Sequence, residues 1–238
     1  MTGRFSDSVA LVAGGTGGLG RAVSQAFLAE GAMVIATYRT PGELDELARQ
    51  AGDARERLEG HHVDVTDPGA TLALVEQTVA RHARIDALVN AVGGYTGGTP
   101  AWQVDPADLE RMLSLNLRCG YSLARAVVPV MLAQAGGCIV NVIARAALEP
   151  PARASAYAAS KAAALAMMDS LAAELSGSGV RANSVLPSII DTAANRSAMP
   201  KADFARWPKP ADIARVILFL CSAEARVIHG AAVPVYGA

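Results

Sequence analysis

The chain has 238 residues, of which 52% are hydrophobic and 18% are charged, and its formal net charge at pH 7 is −1. These values are typical of a globular protein with ample core material. No lysine and arginine cluster gives reason to expect nucleic acid or a membrane surface as a partner. Residues 1–7 lack the basic-then-apolar order of a signal peptide, and no apolar run is long enough to span a membrane. Three widely spaced cysteines indicate reduced thiols and a cytoplasmic location, and the four histidines show no metal-ligand spacing.

Apolar strands and amphipathic helices alternate along the whole chain. We predict strands at residues 8–13, 33–37, 60–65, 85–90, 137–143, 180–186 and 231–235. Helices are predicted at residues 18–30, 41–50, 68–82, 106–134, 155–176 and 210–222, and the polar residues 189–208 are expected to form an irregular substrate lid. This alternation predicts an α/β fold of one domain over residues 1–238: a doubly wound, Rossmann-type parallel sheet of about seven strands with helices on both faces. The loops that follow the strands then meet at the carboxyl edge of the sheet, where such folds bind ligands.

Three glycines lie between the first strand and the first helix, in the order Gly14, Gly18 and Gly20. Glycine lets the backbone approach a pyrophosphate closely, and the following helix offers unpaired N–H groups and the positive end of its dipole. A flexible turn without a ligand is the alternative reading. Because strand, turn, helix and second strand follow within about thirty residues, the pattern predicts a dinucleotide site.

The end of the second strand indicates which dinucleotide is bound. An acidic residue there would accept a hydrogen bond from a ribose 2′-hydroxyl, but the chain has Tyr38 and Arg39 instead. An arginine can pair with a 2′-phosphate and stack on adenine, so NADP(H) is favoured over NAD(H). Asp64 lies at the end of the predicted third strand and either accepts from the adenine amino group or simply forms a turn; the sequence leaves both open.

Tyr157 and Lys161 are four residues apart on the predicted helix 155–176 and therefore share one face. A nearby ammonium favours the phenolate and should lower the pKa of the phenol from ~10, which would make Tyr157 a proton donor for catalysis. A surface pair without function is the alternative, because this spacing is common.

In their order and spacing, these motifs resemble the short-chain dehydrogenase/reductase family along nearly the whole chain. The matching stretches also include N-A-V-G at residues 90–93, Asn116 within L-S-L-N-L, and P-S-I-I-D-T at residues 187–192. The resemblance implies hydride transfer between a nicotinamide and a small-molecule carbonyl or alcohol. Tyr157 would be the acid/base, Lys161 would bind the nicotinamide ribose and lower the pKa of Tyr157, and Asn116 would hold a proton-relay water. The implied cofactor contacts, shared in part with the catalytic set, are Gly14, Thr16, Gly18, Leu19, Gly20, Tyr38, Arg39, Asp64, Val65, Asn90, Ala91, Gly93, Tyr157, Lys161, Pro187, Ile190 and Thr192.

The family's catalytic serine is missing. It should lie thirteen residues before Tyr157, where this chain has Ala144. The substrate carbonyl would then lack its second hydrogen-bond donor, a loss on the order of 1–3 kcal/mol. The quinonoid dihydropteridine reductases also lack this serine, and the chain resembles them at residues 92–98, 144–149 and 191–207. Their acceptor is electron-poor and needs less polarisation, although they use NADH.

We therefore expect an NADP(H)-preferring reductase of a quinonoid dihydropteridine or another activated acceptor. A ketone or 3-oxoacyl thioester reductase is the enzymatic alternative, and an NADP(H)-binding sensor or structural subunit without turnover is an alternative of another class. Tyr95, Trp102 and residues 195–207 are expected to shape the substrate pocket. The family resemblance implies a homodimer or homotetramer, and the small residues in the helices at 106–134 and 155–176 suit such an interface.

Overall fold

The computed structural model describes residues 3–237, and its seven strands form one parallel sheet in the order β3-β2-β1-β4-β5-β6-β7. The strands are β1 (Val9–Ala13), β2 (Met33–Tyr38), β3 (Leu58–His62), β4 (Ala87–Asn90), β5 (Gly137–Val142), β6 (Val180–Pro187) and β7 (Ala232–Val235). The helices are α1 (Gly18–Ala29), α2 (Glu43–Ala51), α3 (Pro68–His82), α4 (Pro106–Leu113), α5 (Cys119–Ala133), α6 (Ser155–Glu174), α7 (Ala193–Ala198) and α8 (Pro210–Cys221).

Side chains alternate between the two faces of the sheet, as a period of two requires. On β1, Val12 faces a core that α1 and α8 close with Phe27 and Ile217. Its neighbour Leu11 faces the opposite core, which residues of α3, α5 and α6 close, among them Met168. Helices therefore cover both faces, and the predicted doubly wound α/β architecture is confirmed.

Two predicted elements differ from the structure. Strand β3 ends at His62, so Asp64 and Val65 lie in the loop beyond the strand rather than at its end. The predicted helix 106–134 is divided into α4 and α5 by a π-helical segment, Ser114–Arg118. Such segments are rare and are found frequently at functional sites, and this one contains Asn116.

The predicted lid contains regular structure that its polar sequence did not indicate. Helix α7 begins after Thr192, whose side chain accepts a hydrogen bond from the N–H of Asn195, and a 3-10 helix follows at Phe204–Arg206. Within residues 3–237, no helix combines the length and apolar character needed to cross a membrane.

Candidate active site

Tyr157 and Lys161 lie in the first two turns of α6, next to the carboxyl end of β5. Tyr157 is half-buried, whereas Lys161 is only 5% exposed. The Lys161 ammonium donates a hydrogen bond to the backbone carbonyl of Val142 at 2.9 Å. Since an ammonium has three donors, two remain for other partners. The helix thus presents a phenol and a buried ammonium on one face, as the spacing predicted.

Asn116 is 2% exposed and ties three segments together. Its amide exchanges two hydrogen bonds with the backbone of Gly94, at 2.9 Å and 3.0 Å. The second amide hydrogen is donated to Ser160 Oγ at 2.9 Å, and Ser160 donates in turn to the carbonyl of Tyr157 at 2.7 Å. Both amide hydrogens are therefore taken. Asn116 holds the loop after β4 against the first turn of α6, and one lone pair of Oδ1 remains.

The loop after β4 approaches the ammonium closely at Gly93. A Cβ atom added there would lie 3.0 Å from Asn116 Oδ1 and 3.2 Å from Lys161 Nζ. The loop begins at Asn90, which is 3% exposed and donates to Asn141 Oδ1 at 3.0 Å, and the Ala91 N–H continues the pairing with β1. The sequence-predicted residues Asn90, Ala91 and Gly93 thus meet Asn116 and Lys161 at one edge.

Burial sets the protonation of both catalytic candidates. It raises the pKa of Tyr157 to about 12, with a smaller contribution from the neighbouring Tyr95 hydroxyl. It lowers the pKa of Lys161 to about 8. The expectation that Lys161 lowers the phenol pKa is not met in this structure, where burial raises the pKa of Tyr157 and the Lys161 ammonium binds the carbonyl of Val142. Tyr157 is consequently fully protonated at neutral pH and is ready to donate its proton.

Tyr95 packs edge-on against Tyr157, with ring centroids 5.0 Å apart. Its own ring remains 66% exposed, and its hydroxyl fits over Gly97, where an added Cβ would come within 2.2 Å of the oxygen. Tyr95 is therefore placed beside the Tyr157 phenol, and its part in a substrate pocket stays a prediction. Trp102, the other aromatic of this loop, lies 84% exposed in a short 3-10 turn.

Ala144 follows β5 and is 6% exposed. Its backbone is extended, with φ −175° and ψ 157°, and it precedes a 3-10 turn at Arg145–Ala147 that no side chain caps. A methyl group thus occupies the buried position where the family has its hydroxyl donor. After β5, the chain therefore presents a methyl group and no hydroxyl donor at position 144.

The glycine loop is shaped to receive a dinucleotide. Gly14 has φ +70° and donates its N–H to Thr37 Oγ1 at 2.8 Å. A Cβ on Gly20 would lie 2.0 Å from the Gly14 carbonyl oxygen, so only glycine lets α1 pack this closely on the loop. No side chain caps the N-terminus of α1, which leaves its first N–H groups for an anion. Leu19 is buried beneath it.

Near the end of β2, the structure brings together charges of both signs. Thr16, 1% exposed, donates its hydroxyl to Glu43 Oε2 at 2.8 Å. Arg39 is exposed, and its guanidinium is close enough to lower the pKa of Asp64, which hydrogen bonds from Thr66 lower more strongly. Asp64 accepts both of those bonds through Oδ1, so the structure shows it as a turn former. Tyr38 packs against the ring of His62, and Val65 is buried.

The lid begins where β6 ends at Pro187, and it rests on the glycine loop. A Cβ on Gly18 would lie 2.8 Å from Thr192 Cγ2. The carbonyl of Ile190 accepts from Asn195 Nδ2 at 2.8 Å and fixes the entry to α7. Thr192 therefore contacts the start of α1, while the cofactor contacts of Pro187, Ile190 and Thr192 stay predictions.

A groove of about 440 Å³ opens beyond β6, on the side away from the glycine loop. Trp207 of the lid and Tyr236, which follows β7, form its aromatic walls, and the Arg145 guanidinium lies 4.8 Å from the Tyr236 ring centroid. The groove lies near the ends of β6 and β7, which β4 and β5 separate from β1 in the sheet. It is lined by Arg145, Ser188, Ile189, Asp203, Arg206, Trp207, Tyr236 and Gly237.

Three residues that sequence reasoning missed contribute to these contacts. Thr37 binds the glycine loop, Ser160 links Asn116 to Tyr157, and Glu43 binds Thr16. Ser160 could have been suspected from the sequence, because it directly precedes Lys161. Glu43 could have been found by looking for the acid five residues after Tyr38 rather than directly after the strand.

Comparison with known proteins agrees with this geometry. The family model described as "short chain dehydrogenase" matches residues 8–203. A curated relative, the 3-oxoacyl-[acyl-carrier-protein] reductase FabG of Thermotoga maritima, is 32% identical over 98% of both chains. Among solved structures, a short-chain type dehydrogenase/reductase from Mycobacterium ulcerans is 27% identical with a TM-score of 0.92, covering 98% of this chain and 90% of its own. Carveol dehydrogenase from Mycobacterium avium in complex with NAD is 26% identical with a TM-score of 0.91, covering 99% and 98%. The chain therefore belongs to the short-chain dehydrogenase family.

Proposed function

We propose that this protein is an NADP(H)-preferring reductase whose substrate is an activated acceptor, with a quinonoid dihydropteridine as its best representative. One observation carries the proposal: α6 presents a protonated Tyr157 and a buried Lys161, and Lys161 binds the carbonyl of Val142, two residues before the apolar Ala144. An acceptor that is already electron-poor needs only the one proton donor that this arrangement supplies. The exposed face of Tyr95 next to Tyr157 supports a flat, conjugated ring as the substrate.

The bound nicotinamide would supply the hydride. The glycine loop and the uncapped N-terminus of α1 would hold its pyrophosphate, and Arg39 would pair with a 2′-phosphate. Lys161 has two free donors for the hydroxyls of the nicotinamide ribose, and its charge would stabilise the Tyr157 phenolate left after proton donation. The side-chain amide of Asn116 is engaged, so a proton-relay water there would rely mainly on the main chain.

A second candidate is the reduction of a ketone or a 3-oxoacyl thioester. The 3-oxoacyl-[acyl-carrier-protein] reductase of Thermotoga maritima favours it, because that relative matches this chain over nearly its whole length. The apolar Ala144 counts against it, because such a carbonyl would lose one of its two donors.

The test measures NADPH oxidation with quinonoid dihydropterin and with a panel of ketones and 3-oxoacyl thioesters. Turnover of dihydropterin supports the first proposal, and turnover of ketones or thioesters alone supports the second. NADPH binding without turnover of any acceptor would instead indicate a sensor or structural subunit.

The catalytic role of Tyr157 is tested by Tyr157→Phe, with Tyr121→Phe on α5 as a matched control, since Tyr121 is 62% exposed and takes no part in the site. Loss of a positioned acid lowers kcat by about 10²–10⁴-fold. We expect that loss for Tyr157→Phe, with unchanged NADPH binding, and full activity for the control. A fully active Tyr157→Phe would refute the proposed acid.

We also infer a homodimer or homotetramer. Helix α6 exposes a row of alanines, Ala159, Ala162 and Ala166, at a spacing that lets a second helix approach closely. Light scattering measures the oligomeric state directly, and a monomer at micromolar concentration would contradict the inference. The three free cysteines agree with a reducing compartment, so we keep the cytoplasm as the expected location.

A further inference from the structure

Glu43 is a carboxylate inside the cleft that we assign to the cofactor. It is the first residue of α2, and Gly42 with φ +87° turns the chain so that Glu43 points back to the glycine loop. Its Oε2 accepts the hydroxyl hydrogen of Thr16, a residue buried among the glycines. The contact joins two residues that are 27 positions apart in the sequence. It fixes a negative charge between the glycine loop and the end of β2.

This place is where a doubly wound fold receives the adenosine ribose. Proteins that bind NAD(H) put an acid at the end of the second strand, where it accepts from the ribose 2′-hydroxyl. Arg39 has no acceptor, and the Tyr38 hydroxyl carries no negative charge, so neither side chain replaces that acid. A carboxylate has about four acceptor sites, so Glu43 can keep the Thr16 hydrogen bond and still accept from a ribose hydroxyl.

The same carboxylate opposes a 2′-phosphate. Three other charged groups face this region: Arg39 on the loop after β2, Asp64 near it, and Arg21 of α1, whose Nε donates to the Thr16 carbonyl at 3.1 Å. The 2′-phosphate of NADP(H) would be attracted by Arg39 and repelled by Glu43. NAD(H) carries a neutral 2′-hydroxyl there and would not be repelled by Glu43.

We propose that Glu43 is a cofactor-selectivity residue, which weakens the preference for NADP(H) that Arg39 creates and lets the site accept NAD(H) as well. The inference rests on the proposed function, because it requires that a nicotinamide dinucleotide binds in this cleft. Within that function it assigns cofactor selectivity to Glu43, which lies in α2 and not at the end of β2.

The experiment measures the dissociation constants of NADPH and NADH for the full-length protein by fluorescence titration at fixed salt. Glu43→Gln removes the charge and keeps an oxygen that can accept from Thr16. We expect it to raise the ratio of the NADH constant to the NADPH constant about tenfold, which corresponds to about 1.4 kcal/mol. Arg39→Ala should change the ratio in the opposite direction.

The matched control is Asp45→Asn. Asp45 is exposed in the same first turn of α2, so its substitution removes the same charge from the same helix end without touching Thr16. We expect its ratio to stay within twofold of the wild-type ratio. Thermal unfolding of each variant confirms that it is folded.

The outcomes distinguish a failure of the selectivity role of Glu43 from a failure of the proposed function. If Glu43→Gln leaves the ratio unchanged, lowers it, or changes it no more than Asp45→Asn does, the selectivity role is wrong while the proposed function stands. If the folded wild-type protein binds neither dinucleotide, the proposed function fails and this inference fails with it.

Discussion

The substitution Ala144→Ser returns a hydroxyl to the corner of the site that is now apolar. The extended backbone at this position accepts serine without strain, and only one oxygen atom is added at a site that is 6% exposed. A second donor to a developing oxyanion contributes about 1–3 kcal/mol, which corresponds to a gain in kcat/KM of about 5- to 150-fold. We expect that gain for ketones and 3-oxoacyl thioesters, whose carbonyl must be polarised.

An activated quinonoid acceptor should respond differently, because its reduction depends less on the second donor. We expect its kcat/KM to change less than about threefold, because an added hydrogen bond contributes little where the acceptor oxygen gains little charge in the transition state. The assay compares NADPH-dependent kcat/KM for both acceptors in the wild type and in Ala144→Ser. Ala147→Ser adds the same hydroxyl one turn away and serves as the control.

The result that refutes this reasoning is a folded Ala144→Ser protein with unchanged activity toward every carbonyl, or with an equal gain for both acceptor classes. The first would show that the missing hydroxyl does not limit the reaction. The second would show that Ala144 does not discriminate between the two classes of substrate.

Two further predictions concern the ammonium and the glycine loop. Lys161→Met removes the buried charge. In the folded wild type, burial lowers the pKa of Lys161 to about 8, which is below the pKa of a lysine in the unfolded chain. Between these two pH values, the unfolded wild type therefore binds more protons than the folded protein. The stability of the wild type relative to Lys161→Met should therefore rise by about 3 kcal/mol as the pH increases through this window, measured by urea unfolding, and a pH-independent difference would contradict the assigned burial. In Gly20→Ala the new Cβ meets the Gly14 carbonyl at 2.0 Å, so the NADPH dissociation constant should rise at least tenfold. Gly17→Ala, whose Cβ stays 3.5 Å from the same atom, should bind normally, and equal affinity of the two variants would argue against this role of the loop.

The sequence predicted the sheet well because its central strands are continuous apolar runs, such as the fully buried β1 and β4. Strand β3 was placed too late because it lies at the edge of the sheet and is only half-buried, so its apolar pattern is weak. Helix α7 was missed for a similar reason: six residues capped by Thr192 have no apolar face to reveal them.

The candidate site shows the same division between local and distant information. The spacing of Tyr157 and Lys161 is local and was readable, and the structure places both side chains on one face of α6. The direction of their pKa shifts was not readable, because it depends on burial by β5 and by the loop after β4. The contact between Thr16 and Glu43 joins two elements that are 27 positions apart, so the sequence can offer Glu43 as a nearby acid but cannot show which residue it binds.

Gly18 illustrates how one small residue can serve two partners. We propose that its missing side chain lets a pyrophosphate approach the backbone, and the same missing side chain gives Thr192 its place against the glycine loop. The root of the lid therefore touches the floor of the cofactor cleft. A movement of the segment that begins at Thr192 would therefore change the packing of the glycine loop, which we propose holds the cofactor.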